Sequence, residues 1–334
     1  MQGDELKSLR ERRGENQQEF AAWLNGQLGR KYDKQRISRW ELGAERVPQA
    51  VAAMLHESAE ALPARPKNAV VVSVANQKGG VAKTASAVNI AYLLSQTGAA
   101  VLLVDADPQS NATMHVGLAP QLLDLDRQQR TLFHVLKGVP AASAVHATDY
   151  AGLSVLPASV SLADADIELA SPLMGQQVLR EKFDEIRDAF DFIVVDCAPN
   201  LGMVTINALA AADFLLVPVQ TEAHSLIGVQ RLFHTVDLLR RRANLRLDVL
   251  GLLPTLYSAG NSQDRETLAD IERSYAAKVP IFPPVPRRTV YAKAAAAGVI
   301  TLAGDPSAPG HESYKAVRDA ILEAAKRREA RHAA

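Results

Sequence analysis

The stretch ANQKGGVAKTASAVN, residues 75–89, follows the β-branched run AVVVSV and opens a helical pattern. Strand, glycine loop and helix in that order form a phosphate-binding arrangement, and they commit the surrounding chain to an α/β fold. The usual spacing is G-x-x-x-x-G-K-[ST]. Here Lys83 and Thr84 supply the final pair, but Gln77 and Ala82 occupy the glycine positions. Gly79 and Gly80 sit inside the loop instead, with an extra lysine, Lys78, just before them. Glycines lack Cβ, so the backbone can curl and aim its N–H groups at phosphate oxygens. The helix opening near Lys83 adds its positive dipole end. Lys83 then neutralises the β- and γ-phosphates, and the Thr84 hydroxyl holds Mg2+. By itself the loop also fits a plain Gly-Gly turn with a solvated lysine.

Two aspartate-bearing runs bear on that choice. LLVDADPQSNAT sets Asp105 and Asp107 at the C-terminal end of an apolar run, where open α/β sheets bind ligands. FIVVDCAP sets Asp196 at the end of another, the place of a carboxylate near the metal. A strand aspartate buried without a partner is costly. Three such ends converging on one Mg2+-nucleotide is a simpler account than three unrelated caps.

Further apolar runs recur at 153–159, 214–220 and 249–255, with helical periodicity at 82–97, 176–188 and 225–242. Strands alternating with helices predict a doubly wound, mostly parallel α/β sheet covered on both faces. The composition changes at LPARPKN, 62–68, where two prolines interrupt a helical region. The expected organisation is a small all-α domain over 1–62, a linker over 63–68 and a nucleotide-binding domain over 69–334. With 37 basic and 37 acidic side chains, any nucleic-acid binding has to come from local patches. The charged N-terminus lacks the apolar stretch of a signal peptide, and no apolar run is long enough to span a bilayer. The single cysteine, Cys197, excludes an internal disulfide, offers no zinc cluster and fits a reducing cytoplasm.

These motifs together resemble the ParA family of deviant Walker ATPases, relatives of MinD. The family pattern K-G-G-x-x-K-[ST] is matched by Lys78 to Thr84. Similarity continues through DADPQSNAT, DCAPNLGMVTINALAAADFLLVPVQTEAHSLIGVQRL and VPRRTVYAKAAAAG, roughly residues 69–300. The resemblance implies an ATP-dependent, nucleotide-sandwich homodimer that binds ATP and Mg2+, holds DNA non-specifically and takes part in partition. It further implies a ParB-like centromere-binding partner that stimulates hydrolysis, and a cytoplasmic, nucleoid-associated protein. By that resemblance the nucleotide lies on Lys78, Gly79, Gly80, Val81, Ala82, Lys83, Thr84 and Ala85, with Pro286 near the adenine. Lys83 acts in cis, and Lys78 reaches the phosphates held by the other subunit. Four lysines then surround two facing triphosphates whose charges would otherwise repel the subunits. Asp107 positions the attacking water, while Thr84, Asp105 and Asp196 arrange Mg2+, the aspartates directly or through water. Ala85 departs from the family, many members having a second Thr there. The C-terminal YKAVRDAILEAAKRREARHAA lacks the bulky apolar face of a MinD-type anchor, so no membrane partner is expected.

The N-terminal NQQEFAAWLNGQLGRKYDKQRISRWELGAERVP predicts a helix-turn-helix. Phe20, Ala21 and Leu24 share one face of a first helix over Gln17–Leu24, with Asn16 as its N-cap. A second helix over Lys34–Trp40 buries Ile37 and shows Lys34, Gln35, Arg36, Ser38 and Arg39, side chains suited to base edges and phosphates. The segment resembles the lambda-repressor/Cro type and implies operator binding and autoregulation. Its connection, Asn25–Asp33, is longer than the usual turn, from an extended first helix or a wing-like loop. A small helical dimerisation module with a solvated basic face is the alternative. Arg240, Arg241 and Arg242 form a second basic cluster suited to phosphate contact. The other reading of the whole chain is a transcriptional regulator switched by its nucleotide state.

Overall fold

The computed structural model describes residues 3, 6, 7, 10, 16–52, 54, 55, 69–169, 175, 177–222 and 225–333. The linker expected at 63–68 lies outside them.

In the N-terminal part, α1 (Gln17–Leu28) starts at Asn16, whose side chain accepts from Gln18 and Glu19 N–H while Glu19 returns a bond to the Asn16 N–H. That reciprocal box satisfies donors a helix start leaves open. The first helix runs four residues past Leu24 and ends on Gly29 in the left-handed region at φ 59°. Part of the long connection is therefore helix. The rest is pinned by Asn25, which donates to the Tyr32 carbonyl at 2.8 Å and accepts from the Tyr32 N–H at 2.6 Å. After the Asp33 cap comes α2 (Lys34–Glu41). Its Ile37 and Trp40 are buried with Leu6, Phe20, Leu24, Val51 and Leu55 in a core of their own. Arg10 and Gln17 converge on Glu41 at 2.5 and 2.7 Å, tying the second helix to the chain before and within α1.

From residue 69 onward the described residues form seven strands: β1 (Val70–Val74), β2 (Val101–Ala106), β3 (His146–Ala147), β4 (Leu153–Leu156), β5 (Phe192–Cys197), β6 (Phe214–Gln220) and β7 (Asp248–Thr255). Their order is β3-β4-β2-β5-β1-β6-β7, parallel except for the short edge strand β3. The central strands are buried along their whole length because both faces are covered, which is why they read as unbroken apolar runs. Side chains alternate between two cores. Val71, Leu102, Ile193 and Val217 face α4 (Leu162–Leu169), α5 (Val178–Asp184), α6 (Met203–Ala211), α7 (Ser225–Arg242) and α8 (Ser262–Tyr275). Val70, Val72, Leu103 and Val194 face α3 (Lys83–Ser95) and α9 (His311–Ala333).

The C-terminal helix α9 spends its apolar face inside the fold, where Tyr314, Val317 and Ile321 are buried against the sheet. Among the described residues no helix is long and apolar enough to cross a membrane.

Register decides what meets at the carboxyl edge. Asp105 of β2 pairs with Asp196 of β5, and Asp196 pairs with Val74 of β1. Neighbouring strands lie about 4.8 Å apart, so both aspartates and the loop after β1 share one small patch. β1 stands between β5 and β6 while its own connection leads towards β2, so the patch is also a topological switch point.

Candidate nucleotide site

The loop after β1 is held from below. The buried Asn76 amide donates to the Pro218 carbonyl at 2.7 Å, and its oxygen accepts from the Lys78 N–H at 3.1 Å. Thr255, at the end of β7, donates to the Val81 carbonyl at 3.0 Å. These anchors leave the loop's upper side open. A Cβ on Gly79 would meet only the Pro199 Cβ at 3.8 Å, and one on Gly80, at φ 72°, would meet nothing within 4 Å. Ala82, in the left-handed region at φ 61° and ψ 33°, precedes α3 and makes no side-chain cap. The N–H groups opening α3 are therefore left for an anion.

Lys83 is buried at 7% exposure, and its ammonium donates to the Lys78 carbonyl at 3.1 Å. Burial pulls its pKa down, against the pull of the nearby Asp196, Cys197 and Asp107 that favours the charge. Asp105 is held by three bonds: Oδ2 accepts from the Thr113 N–H at 2.8 Å and hydroxyl at 2.7 Å, and Oδ1 from the Asp107 N–H at 3.2 Å. Asp107 accepts from the Gln109 N–H at 2.9 Å.

Asp196 differs. It is fully buried, and neither carboxylate oxygen has a protein partner at hydrogen-bond geometry, although the Thr84 hydroxyl and Lys83 ammonium are near enough to favour its charge. Burial first, then the neighbouring Asp105, pushes its pKa well above the ordinary carboxylate range, and burial pushes Asp105 up to about 6. An orphaned buried carboxylate beside a threonine hydroxyl is a donor set for a hard, oxygen-loving cation such as Mg2+. The residues present fit that ion. Asp105 spends both sites of Oδ2 and one of Oδ1 inside the protein, so its part in such a site runs through Thr113 and the Asp107 turn, or through a water on the remaining site of Oδ1.

The late segment 280–287 runs beside β7, bonded through Leu252, Pro254 and Tyr257, and this brings Pro286 to the same edge of the sheet. Ala85 lies in the first turn of α3. The basic residues lie on other elements. On α2, Lys34, Gln35, Arg36 and Arg39 are exposed and Ser38 is half-buried. Glu45 binds Arg36 at 2.8 Å and Arg39 at 3.2 Å. Arg240 is engaged, donating to the Leu247 carbonyl at 2.7 Å and to Asp248 at 2.9 Å, whereas Arg241 and Arg242 are exposed. A cleft of about 830 Å3 opens where β6 and β7 begin, away from the nucleotide edge, with Arg240, Arg246, Lys278 and Arg327 on its walls.

Sequence reasoning passed over Asn76, Thr113 and Thr255. Asn76 and Thr255 follow or close apolar runs at the strand ends where ligands gather, and that position was the available signal; Thr113 lies in the helix Asn111–His115, beyond β2, and carried no such signal.

Fold and edge together define a phosphate-loop nucleotide-binding domain. Comparison with known proteins agrees: the AAA domain family matches residues 69–249. The chromosome-partitioning ATPase Soj of Thermus thermophilus is 35% identical over 252 residues, 75% of this chain and 94% of Soj. The chromosome partitioning protein ParA of Caulobacter vibrioides is 35% identical over 257 residues, 75% of this chain and 93% of that one. Among solved structures, cobyrinic acid a,c-diamide synthase of Mycobacterium smegmatis with bound ADP and magnesium is 33% identical at a TM-score of 0.65, covering 76% of this chain and 94% of its own. The ATP complex of a Cyanothece McdA variant is 26% identical at 0.68, covering 77% and 97%. The chain belongs to the ParA/Soj/MinD family of partition ATPases.

Two outcomes follow from the site's strain and charge. A left-handed backbone costs a non-glycine residue about 1–2 kcal/mol, and glycine's greater unfolded freedom takes back about 0.4–1 kcal/mol. Ala82→Gly should therefore stabilise the nucleotide-free protein modestly in chemical denaturation, and a net loss would contradict the strain. A carboxyl whose pKa is higher folded than unfolded stabilises the fold in its protonated form. That contribution is full below about pH 4 and, for Asp105, is lost as pH rises through about 6. Asp196→Asn removes a buried charge without losing a protein hydrogen bond. It should raise the nucleotide-free melting temperature wherever the carboxyl is ionised, by an amount equivalent to about 1–3 kcal/mol, with the gain shrinking as pH falls and the buried carboxyl takes up its proton. A pH-independent or negative effect would show that Asp196 is compensated.

Proposed function

We propose that the chain hydrolyses ATP with Mg2+ in a nucleotide-sandwich homodimer that holds DNA and serves partition, with hydrolysis stimulated by a ParB-like centromere-binding partner. The observation that carries this reading is Asp196, buried and unpartnered beside Thr84 and Lys83 under an open glycine loop. Relatives named for chromosome partitioning, and similar structures holding ADP and magnesium or ATP, support it. Bound ATP and Mg2+ supply the cleavable phosphoanhydride and a cation that offsets its charge.

The chain's own groups do the rest. Loop and α3 N–H groups from Gly79 to Ala85 donate to phosphate oxygens, and Lys83 neutralises them in cis. Thr84 and Asp196 hold the metal. Asp105 fixes the turn that carries Asp107, and Asp107 orients the attacking water. Pro286 borders the adenine. Lys78, on the open side of the loop, reaches across to the partner's phosphates.

Residues 1–62 act as a helix-turn-helix domain joined by 63–68 to the ATPase domain, 69–334. Lys34, Gln35, Arg36, Ser38 and Arg39 read an operator, while Arg241 and Arg242, on a helix end braced by Arg240, contact phosphates non-specifically. The exposed basic face of α2 also favours a second reading, a nucleotide-switched transcriptional regulator. Turnover stimulated by a centromere-binding partner separates the two.

Lys83→Ala should abolish ATP binding, because the triphosphate loses its cis counter-charge, whereas Lys78→Ala should bind ATP yet fail to dimerise. Equilibrium binding and light scattering distinguish them, and a normally dimerising Lys78→Ala protein rules out the trans role. Asp107→Ala should accumulate as an ATP-bound dimer with slow turnover; wild-type turnover would move the water-orienting role elsewhere. Arg36→Ala with Arg39→Ala should lose sequence-selective binding, each bidentate contact discriminating by about 1–3 kcal/mol, while keeping ATP-dependent binding to random DNA. Arg241→Ala with Arg242→Ala should keep selectivity but flatten the salt dependence on random duplexes. Equal loss on operator and random DNA from the α2 change would sink the operator-reader assignment.

A further inference from the structure

The side chain of Lys78 already has a partner within its own subunit. Its Nζ donates to Glu222 Oε2 at 2.8 Å, two residues beyond β6. The other oxygen, Oε1, accepts from the amide of the buried Gln220. The bond from Lys78 is the main influence holding the Glu222 carboxyl below its usual range, with Arg287 adding a further positive neighbour. Both backbones are fixed. Lys78 is held by Asn76 at its N–H and by the Lys83 ammonium at its carbonyl. Glu222 is held by its N–H on the Gln220 carbonyl at 2.9 Å and by the Ser225 N–H on its own carbonyl at 3.1 Å. What remains free to move is the lysine side chain, and it is turned sideways onto a carboxylate.

We propose that Glu222 is a positioning residue that parks Lys78 in cis and opposes assembly of the sandwich, an inference that rests on the trans role of Lys78 given above. The ammonium has three donors, but a side chain turned onto Glu222 of its own subunit is not extended towards a partner, so on this proposal each subunit opens one ion pair as the dimer closes. With side chains 36% and 49% exposed, the pair is weak enough to open readily. It is strong enough to bias the monomer. The cell thereby gains a threshold: nucleotide alone has to outcompete Glu222 before two subunits join.

The test uses the full chain with Glu222→Gln, which keeps the shape and removes the charge. Sedimentation velocity with Mg2+ and a slowly hydrolysed ATP analogue measures the dimer constant. Two exposed pairs opened per dimer correspond to a dimer about three- to tenfold tighter in the variant. The gain should shrink in high salt, which already screens the native pair. Basal turnover at limiting protein should rise by a similar factor, and Glu222→Gln should give no gain when combined with Lys78→Ala. An unchanged or weaker dimer from Glu222→Gln, with Lys78→Ala unable to assemble, overturns the role of Glu222 alone. Normal assembly by Lys78→Ala overturns the trans lysine beneath it.

Discussion

Asp196 ends a fully buried strand with a carboxylate that no protein group satisfies. An isolated charge in such a place is strongly unfavourable, so the surroundings have to lower its cost or a ligand has to answer it. The parallel sheet brings Asp105 into register beside it, which makes the problem worse. Among the described residues Lys83, itself nearly buried, supplies a close positive charge, and the start of α3 contributes its dipole. The nucleotide-free edge is thus electrostatically incomplete, and a magnesium-bound triphosphate brings the charges that complete it.

Much of the local architecture keeps that edge from relaxing. Thr255 and Asn76 hold the loop on β7 and β6, so it cannot fold down to cover Asp196. Thr113 and the Asp107 N–H hold Asp105. Ala82 keeps a backbone conformation that disfavours its side chain, and the loop is set by these anchors rather than by local preference. Lys78 and Lys83 stand at opposite ends of one loop but in different surroundings. Lys83 is enclosed and bonded to the loop itself, while Lys78 is on the outside, paired to a surface acid. That asymmetry is what division of labour between cis and trans contacts requires.

The sheet was legible in the sequence because strands buried on both faces leave continuous β-branched runs, as in AVVVSV and FIVVDC. The loop, both lysines and the strand-end aspartates were legible for the same reason, since their positions follow from where each run stops. The order of strands was not, because local pattern carries no record of which strands become neighbours. The partners of Asp105, the Val81–Thr255 bond and the Lys78–Glu222 pair join residues far apart in the chain, so no spacing rule reaches them. In the N-terminal part, capping chemistry at Asn16 and burial of Ile37 were readable. The extra turn of α1 was one of two alternatives the long connection left open, and the choice depends on Asn25 bridging to Tyr32 and on where Gly29 stops the helix.

In the proposed dimer each triphosphate is held by a lysine from each of two subunits, with hydrolysis set up by the subunit that owns the loop. Mixing two inactive variants tests it most directly. Lys78→Ala lacks the lysine it would lend, and Asp107→Ala lacks its own water-orienting carboxylate, but in a mixed dimer one site has the full set. The mixture should then turn over ATP well above the sum of the two separate proteins. Turnover no greater than that sum, with mixed dimers demonstrably formed, would place Lys78 on its own subunit's nucleotide and rule out the lysine exchange between subunits.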